Sequence, residues 1–259
     1  MNPQGIYTLV SYGKSLERQM EAVANNLANV ETAGYKGDQP AFQSVFAQTM
    51  GVPSMSDEEV FAHHEHLAPY TGVGTFYVSI ADMGKNMGQG RLQQTGQQLD
   101  LALANPNGFF SINTPQGERF TRGGSFHLNQ DKQLVTTDGY LVNGKQGAII
   151  IEGGAVEVSE DGSIIVDGKN TGGLKIVTFP FPDRLQKLGN SLMAPVGEEN
   201  NARILEDVDL VQGSLEKSNV DSFREMVRMI QANRSYTSMQ KALGSADEMN
   251  QRAISLAEV

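Results

Sequence analysis

The chain has 259 residues, of which 39% are hydrophobic and 28 are glycine, with no cysteine and a formal net charge of −10. That length holds one large domain or two to three small ones, and the apolar share and glycine content predict a modest core, many turns and segments that bury an apolar face only against something else. The acidic balance excludes nucleic acid and anionic lipid surfaces, which need a cationic footprint, and the missing cysteine excludes disulfide scaffolds, thiolate zinc sites and cysteine nucleophiles.

The start, Met1-Asn2-Pro3-Gln4-Gly5, has no basic segment followed by an apolar run, so no cleavable signal peptide is expected. No apolar run approaches the roughly 18 residues of a membrane span. Residues 5–34 read as a helix. Leu16, Met20, Val23, Leu27 and Val30 follow the 4-3-4-3 spacing of a coiled-coil seam, and Leu9 extends it backwards. Thr32-Ala33-Gly34 supplies the stop, with Gly34 free to take a left-handed cap. Two heptads make a helix that is marginal alone in water.

Residues 35–103 carry the weakest pattern. Pro53 and Asp57-Glu58-Glu59 read as exposed loop, and Phe76 to Ile80 as a strand. From about 104 to 213 turn pairs such as Asp138-Gly139, Asn143-Gly144, Asp161-Gly162 and Asp167-Gly168 alternate with short β-prone pieces. This predicts an all-β domain of tight hairpins. Residues 219–259 return to a helical period over about 35 residues, with Ser222 and Glu225 at capping-box spacing. Its apolar stripe opens with Phe223, Val227 and Ile230. It resumes at Tyr236, Met239, Leu243 and Ala246 and runs on to Ala253 and Leu256.

A search for chemistry finds little. His63, His64 and His66 are spaced i, i+1, i+3 in a polar stretch, and the fourth histidine is His127. A zinc helix places two histidines at i, i+4, so a solvated loop is expected and no metal. The glycine clusters complete neither a dinucleotide nor a phosphate-binding loop, and no serine sits in a Gly-x-Ser-x-Gly elbow. Neighbouring carboxylates such as Glu198-Glu199 are not held across a substrate. No catalytic residue, cofactor site or enzymatic activity is expected.

Three stretches carry a family resemblance. Ala24-Asn25-Asn26-Leu27-Ala28-Asn29-Val30-Glu31-Thr32-Ala33-Gly34-Tyr35-Lys36 resembles the N-terminal signature of flagellar rod and hook proteins. Gly108 to Ile112, Phe120 to Phe126 and Gln133 to Tyr140 resemble the family's β-domain. Gly213 to Val220, with Glu225-Met226-Val227 and Met229-Ile230, resembles its C-terminal helix and the segment before it. The resemblance implies a structural subunit of the basal-body rod, exported without a cleaved signal peptide through the flagellar export apparatus. It would pair with copies of itself and other rod proteins and transmit torque from motor to hook.

The expected fold is α+β, a mainly β central domain inserted between terminal helices that pair as a coiled-coil-like core. The expected boundaries are 1–34 (assembly helix), 35–80 (variable linker), 81–215 (β-rich domain) and 216–259 (assembly helix). The expected assembly seam is Leu16, Met20, Val23, Asn26, Leu27, Asn29, Val30, Phe223, Val227, Ile230, Tyr236, Met239 and Leu243. Asn25, Asn26 and Asn29 are poor helix formers, and their amides are expected to bond to neighbouring chains, or else to line one polar helix face. A secreted carbohydrate-binding module or hydrolase is the competing class. It would need convergent carboxylates or aromatic groups, and the chain has no tryptophan.

Overall fold

The computed structural model describes the backbone of residues 3–48 and 74–257, and side chains for residues 8–39 and 84–252 apart from Glu198 and Asn250. Helix α1 (Pro3–Ala28) is followed by two long strands, β1 (Asp38–Gln48) and β2 (Gly74–Lys85), which form a two-stranded sheet. Short strands follow: β3 (Leu92–Gln94), β4 (Leu101–Leu103), β5 (Phe109–Thr114), β6 (Gly117–Thr121), β7 (Phe126–Leu128), β8 (Leu134–Thr136), β9 (Leu141–Gly144) and β10 (Gly147–Ala148). After β11 (Val156–Val158), β12 (Ser163–Val166), β13 (Lys169–Gly173) and β14 (Ile176–Thr178) come β15 (Gln186–Gly189), β16 (Leu192–Ala194) and β17 (Arg203–Ile204). Strands β18 (Leu210–Gln212) and β19 (Ser214–Glu216) lead into helix α2 (Ser222–Ala257). The architecture is α+β, with a mainly β centre between two terminal helices.

The β-region centres on a sheet of order β15-β16-β6-β5-β9-β8-β7, with β14 joining beside β5, β17 beside β14 and β10 beside β9. Successive side chains of a strand face opposite ways, so β5 feeds two cores. Phe110 and Ile112 enter the larger one with Leu134, Val142, Ile164, Leu174 and Ile176. Phe109 enters the other with Phe120, Val177, Phe179, Leu185 and Met193. Phe179 meets Phe109 and Phe120 edge-on at 5.5 and 4.9 Å between ring centroids, the arrangement the ring quadrupole favours. The turn pairs behave as the sequence predicts. Val166 pairs with Lys169 across Asp167-Gly168, whose φ angles of 49° and 77° both lie in the left-handed region of a tight hairpin turn.

Two helix ends differ from expectation. Helix α1 stops at Ala28 rather than at Gly34, because the Asn29 side chain donates to the Asn25 carbonyl at 2.9 Å and competes with the helical ladder. Val30 therefore lies in the turns beyond the helix. Gly34 is left-handed (φ 69°), but it serves a close backbone crossing, since a Cβ there would collide with the backbone of Arg122 and Gly123. At α2 the cap is Asp221, not the Ser222–Glu225 box. Its Oδ1 accepts the amides of Phe223 (3.0 Å) and Arg224 (3.2 Å), leaving Glu225 for another partner.

By contacts the chain divides into two compact units. One comprises Met1–Val23, Pro40–Met83 and Val227–Val259, and the other Ala24–Gln39 and Gly84–Met226. Among the described residues no helix is long and apolar enough to cross a membrane. His63, His64, His66, Pro53 and Asp57 to Glu59 lie outside the described residues.

Candidate assembly interface

Helix α2 buries Glu225, Ala232, Met239 and Ala246, every seventh residue, with Met229, Tyr236 and Leu243 half-buried four positions after the first three of them. This is the a/d pattern of a coiled-coil seam. On α1, Leu16, Ala22, Val23 and Asn26 are buried, and Leu9, Met20 and Leu27 half-buried. Asn29 and Val30, in the turns after α1, are half-buried.

In the first unit the two helices touch at Gly13, where a Cβ would lie 2.6 Å from Met239 Cε, and at Glu17, whose Oε1 accepts the Tyr236 hydroxyl at 3.0 Å. Three expected seam residues stand elsewhere. Phe223, Val227 and Ile230 are 76%, 38% and 53% exposed, and Met226 beside them 49%. They form a second apolar stripe at i, i+3, i+4, i+7, turned away from the buried heptad. Ala253 and Leu256 have no described side chains.

The second unit holds two buried polar clusters. In the first, Asn26 Nδ2 donates to the Asp38 carbonyl (2.9 Å) and to Glu225 Oε2 (3.4 Å), while Asn26 Oδ1 accepts the Asp38 amide (2.8 Å) and the Tyr35 hydroxyl (3.2 Å). Lys187 of β15 closes the cluster, paired with Asp38 Oδ1 at 2.7 Å and lying 4.4 Å from the centre of the Tyr35 ring. The asparagine amides are thus used within the chain. Burial, then the charge of Asp38, raises the Tyr35 hydroxyl well above its ordinary range, and burial lowers the Lys187 ammonium.

In the second cluster Glu216 accepts Lys36 Nζ (2.7 Å), the Gly90 amide (2.9 Å), and Arg122 through Nε (2.8 Å) and Nη2 (2.6 Å). Arg122 also donates to the carbonyls of Asn105 (2.8 Å), Gly108 (2.5 Å) and Leu103 (3.2 Å). Lys36, Arg122 and Glu216 are each 1% exposed. Burial lowers the pKa of both cations despite the carboxylate between them. These contacts tie the segment after α1, the segment before β3, the β-sheet and the end of β19 into one block.

Sequence reasoning missed Glu225 and Ala232 as seam positions because small and charged residues carry little hydrophobic signal, while it did place Ala246 in the stripe. The brighter stripe at Phe223, Val227 and Ile230 lies on a face of α2 other than the buried heptad and is exposed. Lys36, Arg122 and Glu216 stood within the resembling stretches, yet nothing local to them announces that three charges meet.

Clefts indent the β-region, and two of them are lined wholly by described residues. One of about 390 Å³ is lined by hydroxyls and amides with Asp138 as its carboxylate. The other, of about 640 Å³, carries Glu118, which is paired to Lys175 at 2.7 Å. Each presents one carboxylate, whereas glycoside hydrolysis needs two facing each other. Among the described residues no cluster of three histidine or acidic groups is placed to hold a metal ion.

Three family models match the chain in order. They are "Flagella basal body rod protein" over residues 6–36, "Flagellar hook protein FlgE/F/G D1 domain" over 104–166 and "Flagellar basal body rod FlgEFG protein C-terminal" over 211–256. The flagellar basal-body rod protein FlgG of Bacillus subtilis is 30% identical, covering 98% of both chains. FlgF of Rhizobium meliloti is 30% identical, covering 94% of this chain and 95% of its own. FlgG of Caulobacter vibrioides is 30% identical over 96% and 97%.

Proposed function

We propose that this chain, which belongs to the flagellar basal-body rod protein family, polymerises through the exposed stripe of α2. It is a structural protein of the basal-body rod. The observation that carries the reading is the pair of faces on α2: the heptad from Glu225 to Ala246 is used up within the chain, while Phe223, Met226, Val227 and Ile230 remain exposed. Fully burying such a side chain is worth about 1.5–3 kcal/mol, so this stripe gains most from a second copy or another rod protein. The Asn26 and Glu216 clusters supply a stiff base, because buried, fully bonded polar networks rigidify what they join. Stiffness is what a torque-bearing shaft requires. Export through the flagellar export apparatus with the N-terminus retained belongs to the same proposal. N-terminal sequencing of protein recovered from basal bodies tests it, and a missing leader segment refutes it.

The central test is Ile230→Asp. The variant should leave urea unfolding of the β-region unchanged, since Ile230 is 53% exposed, while abolishing rod incorporation and swimming. Normal swimming with normal incorporation refutes the role of the stripe.

A further inference from the structure

The buried seam between α1 and α2 is a poor ruler. On α2 its core positions read Glu225, Ala232, Met239, Ala246. A slide of one heptad exchanges alanine with methionine, and a slide of two returns alanine to alanine. Among these positions the apolar packing discriminates chiefly where Met239 needs Gly13 opposite it. Two polar pairs also join the helices: Glu17 with Tyr236 on exposed ground, and the buried Asn26 with Glu225, which are 2% and 4% exposed.

We propose that Asn26 and Glu225 set the register of α1 against α2, acting as positioning residues for the helix pair. The Asn26 amide cannot turn freely, because the Asp38 backbone holds both of its ends, at 2.9 Å on Nδ2 and 2.8 Å on Oδ1. Its Nδ2 is thereby aimed at Glu225 Oε2, 3.4 Å away. Within the first unit the helices run antiparallel, since going from Gly13 to Glu17 moves four residues forward along α1 while going from Met239 to Tyr236 moves three back along α2. A slide by one heptad would set Ala232 against the Asn26 amide, a donor it cannot satisfy. A buried amide donor left without its acceptor costs about 1–3 kcal/mol, which is how a polar core position fixes coiled-coil register. The proposal concerns pairing within one chain and stands whether or not the exposed stripe meets a second copy.

The chain has no cysteine, so engineered disulfides report register without background. Full-length protein carrying Glu17→Cys with Tyr236→Cys reads the native register, and Glu17→Cys with Met229→Cys or Leu243→Cys reads slips of one heptad either way. Under mild oxidation the native pair should form at least about tenfold faster than either slipped pair, the selectivity expected from one buried hydrogen bond to a charged group. Asn26→Leu or Glu225→Leu should lower that preference about tenfold with helicity at 222 nm retained, and Glu225→Gln should preserve it. An unsubstituted chain without preference overturns the proposal, as does a leucine variant that keeps it. Loss of preference together with loss of helicity also overturns it, because the pair would then hold the helices themselves rather than their register.

Discussion

Glu216→Gln tests the buried charge cluster directly. The carboxylate occupies four acceptor positions, with Lys36 Nζ at 2.7 Å, Gly90 N at 2.9 Å, and Arg122 Nε and Nη2 at 2.8 and 2.6 Å. Glutamine keeps the shape but removes the charge, and its amide group presents donors to cations that have no use for them. Two cations, each 1% exposed, then lose their counter-charge. Breaking a buried pair in this way costs about 3–5 kcal/mol, a large part of the 5–15 kcal/mol that ordinarily holds a domain together. At about 2–4 °C per kcal/mol for a unit of this size, the melting temperature should fall by about 6–20 °C. Urea unfolding of the full chain, followed by far-ultraviolet circular dichroism, measures the same loss. Adding Lys36→Met to Glu216→Gln removes one orphaned cation and should recover about 1–3 kcal/mol, a coupling that independent sites do not show. A Glu216→Gln cost below about 1 kcal/mol, the worth of an ordinary hydrogen bond, or an additive double variant, refutes the argument.

Gly34→Ala should destabilise by about 2–5 kcal/mol through left-handed strain and overlap with the Arg122–Gly123 backbone. Thermal melting measures this, and a change under about 1 kcal/mol contradicts the close crossing. Tyr35 gives a pH signature, because burial and Asp38 raise its hydroxyl above the ordinary pKa of 10.0. A raised folded pKa means that its contribution is complete below pH 10 and is lost as pH climbs beyond it, when the unfolded chain ionises and the folded one does not. Tyr35→Phe should therefore flatten the fall in stability above pH 10 by up to about 1.4 kcal/mol per pH unit, and an unchanged slope in urea titrations excludes it. Limited proteolysis of purified monomer should trim the helices back toward Ala24 and Met226, the limits of the larger unit. Hydrogen-exchange protection in the helical arms equal to that of the β-sheet would count against this.

The hairpin region was the most legible part of the sequence, because its turns are local. Asp167-Gly168 dictates a tight hairpin whatever surrounds it, and Val166 pairs with Lys169 as that turn requires. The long C-terminal helix was equally plain, and the 36 residues of α2 sit close to the expected length. The faces of that helix were not plain. Hydrophobicity marks Phe223 and Ile230 strongly and Ala232 and Ala246 weakly, yet the second pair is buried and the first exposed. An exposed apolar stripe and a stripe packed against the chain's own other helix obey the same period, and no single sequence separates them. The asparagines were a half-success. They are poor helix formers for a reason, but the reason is a turn after Ala28 and a bond to Glu225, 199 residues distant in the chain.

The weakness of the intrachain seam suits a subunit that must not polymerise early. Alanine at two of four heptad positions on α2, and glycine opposite Met239 on α1, leave little apolar area to hold the arms together. Helices draw most of their stability from packing of an apolar face, so a dissolved subunit with this thin seam presents its outer stripe on elements that are themselves incompletely stabilised. Ordering them costs about 1–2 kcal/mol of backbone entropy per residue, and a single encounter that covers four side chains does not offset that over a whole arm. A partner surface that covered an arm along its whole length would offset it. The Asn26 and Glu216 clusters hold the base of each arm in place meanwhile, which limits the entropy still to be lost when that surface arrives. A tighter seam, for example with leucine at 232 and 246, would remove this threshold and favour off-site association of free subunits.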